Sequence, residues 1–203
     1  MTKRGAADRA DPKRWKSLGA SVRGMILVVI KSLVDIHSLF PVATWLVPVA
    51  GGALIHTRLS KQPPSRERNL RIWLLWFLGL GVGAGGVIGF LEHLLLPEKM
   101  AELIGFAPSF FQYEVAVANL TTGVLGLMSL FVRHPLFWLA AIVANSVWYL
   151  GDAAGHIYQY AVKDNTATGN IGGPFIIDIV QPLVLILLFA AWTRAMRQAG
   201  ASD

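Results

Sequence analysis

The sequence predicts an all-α, polytopic membrane protein: a four-span helical bundle preceded by an N-terminal, membrane-associated hairpin. Three observations carry this reading. Apolar residues are gathered into long runs, several close to the ~20 residues that a spanning helix needs. Charged residues make up 15% of the 203-residue chain, against about 25% in a soluble domain. Lys and Arg lie at the ends of the apolar runs, where they orient a membrane protein. A chain of this length then holds one membrane domain and no second folded soluble domain.

The elements follow in order. Residues 1–21 are polar, basic and poor in aromatics, and are predicted to form a disordered cytoplasmic tail. Between residues 22 and 56, Val22, Met25, Ile26, Val29, Leu33, Ile36 and Phe40 share one helical face, while Lys31, Asp35 and Ser38 share another. That is the pattern of an amphipathic helix at the interface. The stretch 40–55 is more apolar, but it is short and carries Pro41, Pro48 and Gly51–Gly52. An interfacial or re-entrant hairpin is expected over 22–56. Four spans are predicted at 72–96, 114–132, 136–160 and 172–193, followed by a cytoplasmic tail at 194–203. Pro97 ends the first, Arg133-His134-Pro135 forms the turn after the second, and a polar loop at 162–170 precedes the fourth.

Positive charge decides the expected topology. With an even number of crossings, fifteen Lys and Arg lie inside and two, Lys99 and Lys163, outside. A five-span arrangement divides the same charges nine to eight. The expectation is therefore a multi-pass protein of the cytoplasmic (inner) membrane with both termini cytoplasmic. A five-span arrangement stays open, because helix packing can override a charge rule.

Composition also excludes several classes. The chain has no cysteine, so disulfides, thiolate metal sites, CxxC redox chemistry and covalent c-type haem are ruled out. The first apolar stretch is interrupted by Lys31 and Asp35, unlike a cleavable signal peptide. The net charge of +6 reflects topology, and no nucleic-acid partner is expected. The lipid bilayer is the expected partner. Gly81, Gly85 and Gly89 recur every four residues, which predicts a close-packing seam and a candidate face for homo-oligomerisation.

Function is concentrated in polar residues inside the apolar runs. A charge in the bilayer core costs several kcal/mol, so such residues face the protein interior and need partners. Glu92 and His93, Glu114 and Asn119, Asp152 and His156, and Asp178 fall at one level of the bundle once alternate spans are reversed. At 100° per residue, Asn145, Asp152 and His156 share a face. Asp178, Gln181 and Pro182 share another. This predicts a polar pocket in the outer half of the bundle, lined by Glu114, Asn119, Asn145, Asp152, His156 and Asp178. Such a pocket can bind a small solute or cation, or relay protons. A divalent metal is a further candidate ligand, with Asp152, His156, Glu114 and Asp178 as the donors, although no HExxH or ExxH motif is present. The competing explanation is structural: hydrogen-bonded cross-links, each contributing about 0.6–2 kcal/mol, with Asp152 fixing the His156 tautomer. The loop 165–174 (NTATGNIGGP) reads either as a lid or as a flexible turn.

Two stretches carry a resemblance. The first is Phe111-Gln112-Tyr113-Glu114 with Ala118-Asn119-Leu120. The second is Gly151-Asp152-Ala153-Ala154-Gly155-His156-Ile157, followed by Gly169-Asn170-Ile171-Gly172 and Asp178…Pro182. Over residues 72–193 these FQxE…ANL and GDxxGHI elements resemble an uncharacterised family, a domain of unknown function, of small bacterial integral membrane proteins. The helical core is loosely similar to DoxX-like four-helix membrane proteins. The resemblance implies a multi-span inner-membrane protein and no activity, cofactor or catalytic residue.

The sequence therefore supports a protein that binds or transports a small solute, cation or proton. The alternatives are a metal-dependent or redox membrane enzyme, and a structural or assembly subunit of a membrane complex.

Overall fold

In a computed structural model of the chain, residues 36–200 are described, together with residues 24, 26 and 27. Five long helices make the body: α1 (Ile36–Leu59), α2 (Arg66–Leu95), α4 (Phe111–Met128), α5 (Pro135–Lys163) and α7 (Gly173–Gly200). Two short helices, α3 (Pro97–Ile104) and α6 (Thr168–Ile171), lie in the connections at one end. The predicted disordered tail and most of the amphipathic face at 22–40 fall outside the described residues.

Short connections force consecutive long helices to run antiparallel, and the side-chain contacts show it. Along α1 and α2, Arg68 meets Thr57, Trp76 meets His56 and Phe77 meets Trp45. Along α5 and α7, Trp138 packs on Trp192, Gln181 bonds Asn145 and His156 meets Asp178.

Among the described residues, four helical stretches are long and apolar enough to cross a membrane: Phe40–Leu59, Arg66–Leu95, Pro135–Lys163 and Thr168–Ala199. Their number is the expected one, but the set differs. Phe40–Leu59 belongs to it, and α4, with Gln112, Glu114 and Asn119 in its 18 residues, does not. From residue 36 onward, the segment expected as a hairpin is one unbroken helix that continues through Pro41, Pro48 and Gly51–Gly52. A proline removes one helical hydrogen bond, and packing compensates. Val49 and Ala53 are buried, and the ring of Trp76 lies where Gly52 would carry a β-carbon. At the other end of the chain α7 stays helical to Gly200, so residues 194–200 extend the last helix.

Local chemistry fixes the ends. Ser65 caps α2 by accepting from the Arg68 N–H at 3.1 Å. The buried Arg68 guanidinium donates to the carbonyls of Thr57 and Gln62 and to Asn69 Oδ1, tying the α1–α2 loop. Glu67 accepts from Trp192 Nε1 at 2.8 Å, which pins α2 to α7 at that end. Pro135 opens α5 behind a His134 cap. Gly105 ends α3 at φ 72°, a left-handed conformation that suits glycine.

The middle of α2, Phe77–Ala84, is π-helical. The expected glycine seam is split here. Gly79, Gly83 and Gly86 make the close approach to α4; a β-carbon on Gly86 would stand 2.7 Å from the Asn119 carbonyl oxygen and from Gly123 Cα. Gly81, Gly85 and Gly89 do share a face, but that face looks into a cavity.

The molecule therefore has two unlike halves. Leu74, Phe77, Leu78, Trp138, Ile142, Leu185 and Trp192 form a close-packed apolar core near the α1–α2 loop. Towards the α2–α3 end the helices enclose the cavity. Large exposed apolar side chains, among them Leu139, Val143, Val147, Leu183 and Leu187, cover the outside and are compatible with lipid.

Candidate functional site

The cavity has a volume of about 730 Å³ and is walled by α1, α2, α4, α5 and α7. Most of its lining is apolar, including Leu80, Ile88, Phe106, Phe111, Val115 and Ile177. Its polar groups are concentrated on α5 and α7. Asp152 and His156 are one helical turn apart on α5, and Asp178 faces them from α7. His156 Nε2 lies 3.6 Å from Asp178 Oδ2, with both side chains largely buried. Asp152 is close enough to act electrostatically on both Asp178 and Tyr149.

The histidine is oriented by the connection rather than by its own helix. Its Nδ1 lies 2.7 Å from Asn170 Oδ1. Asn170 is fully buried, and its amide nitrogen donates to the carbonyls of His156 and Asn165. Asn165 in turn donates to the Ile104 carbonyl and accepts from the Ala167 N–H. The segment expected as a lid or flexible turn is thus partly a helical turn, α6, anchored to α3 and α5. The contact that would fix the His156 tautomer, considered for Asp152, is made at Nδ1 by Asn170.

The α7 wall adds a backbone acceptor. Pro182 lacks the N–H that would engage the Asp178 carbonyl four residues earlier. A carboxylate and a carbonyl acceptor therefore belong to one residue beside the cavity. Gln181, one turn further along α7, is fully buried and donates to Asn145 Oδ1 at 3.3 Å.

The six expected residues divide clearly. Asn119, Asp152, His156 and Asp178 line the cavity. Asn145 is buried behind it, bonded to Gln181. Asn119 also accepts from Trp148 Nε1 at 3.3 Å, so it ties α4 to α5. Glu114 is exposed and outside the lining, because the α4 positions that face the cavity are Phe111, Val115 and Asn119. Glu92 and His93 both line the cavity, and His93 Nδ1 meets the buried Gln112 Oε1 at 2.6 Å. Among the described residues, no three His, Asp or Glu side chains converge closely enough to hold a metal ion.

Sequence reasoning missed Trp45, which enters the cavity from α1, and the part played by Asn170. The signal for Asn170 was present: a lone amide set among Gly169, Ile171, Gly172 and Gly173, where small residues allow tight enclosure.

No curated protein and no solved structure matches the chain. One family model does match, over residues 38–198, most of the chain. The match takes in α1, which the sequence resemblance left outside, and so treats the five long helices as one unit. With the bundle and its cavity in view, the chain belongs to the family of unknown function DUF6790, here a multi-pass, all-helical membrane protein.

Proposed function

We propose that the protein binds a small cationic solute with an apolar body in this cavity, as the binding step of transport across its membrane. The observation that carries the reading is an imbalance of charge. Among the described residues, Asp152, Asp178 and Glu92 line the cavity, His156 and His93 are its basic side chains, and the lining includes no Lys or Arg. Carboxylates held inside a bundle need counter-charge. The apolar remainder of the wall suits a hydrocarbon body. The absence of a three-ligand cluster among the described residues favours an organic cation over a metal ion.

The His156–Asp178 contact supports a proton-coupled form of the same reading. One proton between them is the natural resting counter-charge, and an arriving cation would displace it.

Native mass spectrometry of gently purified protein, wild type beside Asp178→Asn, tests the reading. A retained molecule bearing a basic nitrogen, lost in the variant, supports it. A retained anion, or equal retention of the same molecule in both proteins, contradicts it.

A further inference from the structure

A second polar feature lies at the α1–α2 side of the cavity, and the aspartates and histidine do not account for it. Trp45 Nε1 is buried and has no hydrogen-bond partner among the described residues; neither has Gln181 Oε1. The first can only donate and the second can only accept. Buried polar groups are normally paired, and each exception needs an explanation. Both residues line the cavity, and Gln181 is 0% exposed. Tyr149, on the same wall, is close to the Gln181 amide.

The two atoms converge on one place. A β-carbon on Gly81 would lie 3.3 Å from Trp45 Nε1 and 3.9 Å from Gln181 Oε1. Gly81 belongs to the π-helical stretch of α2. π-helical turns are rare and often occur at functional sites. The missing side chain leaves a niche between an unpaired donor and an unpaired acceptor.

A hydroxyl group satisfies both at once: its oxygen accepts from the indole N–H and its proton goes to the amide oxygen. A carbonyl or an ether oxygen can only accept, and an ammonium can only donate. We infer that the Gly81 niche is a hydroxyl-recognising subsite, in which Trp45 donates to and Gln181 accepts from one hydroxyl of the bound solute. This rests on the cavity being a solute site as proposed above. It extends that reading by making the solute an amino alcohol. Asp178 and Gln181 are three residues apart on one helix, about 5–6 Å between β-carbons, so a short flexible chain can reach from the carboxylate to the niche.

The test compares pentylamine, 5-aminopentan-1-ol and 5-methoxypentan-1-amine by isothermal titration of wild type, Gly81→Ala and Trp45→Phe. Trp45→Phe keeps an aromatic ring and removes the indole N–H together with the pyrrole ring that carries it. Gly81→Ala fills the niche with one methyl group. In wild type the amino alcohol should bind about tenfold tighter than pentylamine, the gain expected of two net hydrogen bonds. The methyl ether should lose most of that gain. In each variant the amino alcohol and pentylamine should bind equally, whatever their common affinity, so that the gain from the hydroxyl is lost.

Pentylamine binding with no gain from the hydroxyl in wild type overturns the subsite and leaves the cation site standing. A gain that persists in both variants overturns it equally. If pentylamine does not bind wild type, the cation reading falls. The subsite then stands if pentan-1-ol binds wild type and not Gly81→Ala, and falls otherwise.

Discussion

His156 is held by Asn170, 14 residues further along the chain, through an Nδ1–Oδ1 contact of 2.7 Å. The Asn170 amide nitrogen already donates to two carbonyls, so its oxygen must accept and His156 Nδ1 must carry the proton. That choice sends Nε2 towards Asp178, 3.6 Å away. The loop that joins α5 to α7 therefore sets the protonation pattern of the cavity wall.

Breaking this link should weaken both binding and folding. Asn170→Ala frees the imidazole to rotate and leaves the His156 and Asn165 carbonyls short of one donor. A weakening of pentylamine binding of about five- to tenfold is expected, the value of one hydrogen bond of about 1 kcal/mol. Asn170→Ser, which retains an acceptor but not the geometry, should fall between. Equal affinities in all three proteins, measured by titration, would show that the orientation of His156 is irrelevant to the site.

The α2–α4 seam makes a prediction about stability alone. Gly86→Ala places a methyl against the Asn119 carbonyl and the Gly123 backbone, groups that cannot swing aside. Such overpacking costs about 1–3 kcal/mol. At Gly51, where nothing lies within 4 Å of the same methyl, alanine should be neutral. Thermal unfolding in one detergent compares the pair, and a lower melting temperature is expected for Gly86→Ala only.

At the opposite end, Arg68 should matter as a donor rather than as a charge at the surface. It is buried, and its guanidinium serves the Thr57 and Gln62 carbonyls at the α1–α2 loop. Arg68→Met keeps much of the bulk and leaves those carbonyls unserved, at a cost of about 2–3 kcal/mol. The neighbouring Glu67→Gln keeps an acceptor for the Trp192 N–H and should cost no more than about 1 kcal/mol. Denaturation of the two variants should rank them in that order. Arg68→Met as stable as wild type would remove the loop from the account of stability.

How much of this was legible in the sequence depended on the range of the interaction. Helical periodicity and the alternation of the long helices place Asn119, Asp152, His156 and Asp178 at one level, and these four do line one cavity. Glu114 was grouped with them by level alone. Helix facing separates it, since Phe111, Val115 and Asn119 take the cavity-facing positions of α4. The glycine repeat gave the correct shared face for Gly81, Gly85 and Gly89, but periodicity cannot say whether a face meets a helix or a void. Pro41, Pro48 and Gly51–Gly52 suggested a broken segment. Local propensity yields there to burial of Val49 and Ala53 along α2 and α7. Asn170 and Trp45 act across the fold, and no spacing rule links either to its partner.

The central claim is that the α5–α7 wall of the cavity binds a cation. Isothermal titration of pentylamine into wild type, Asp178→Asn and Glu114→Gln addresses it most directly. The account predicts binding to wild type, at least about tenfold weaker binding to Asp178→Asn (about 1.4 kcal/mol), and unchanged binding to Glu114→Gln. Equal affinity for wild type and Asp178→Asn, or a loss confined to Glu114→Gln, would contradict it.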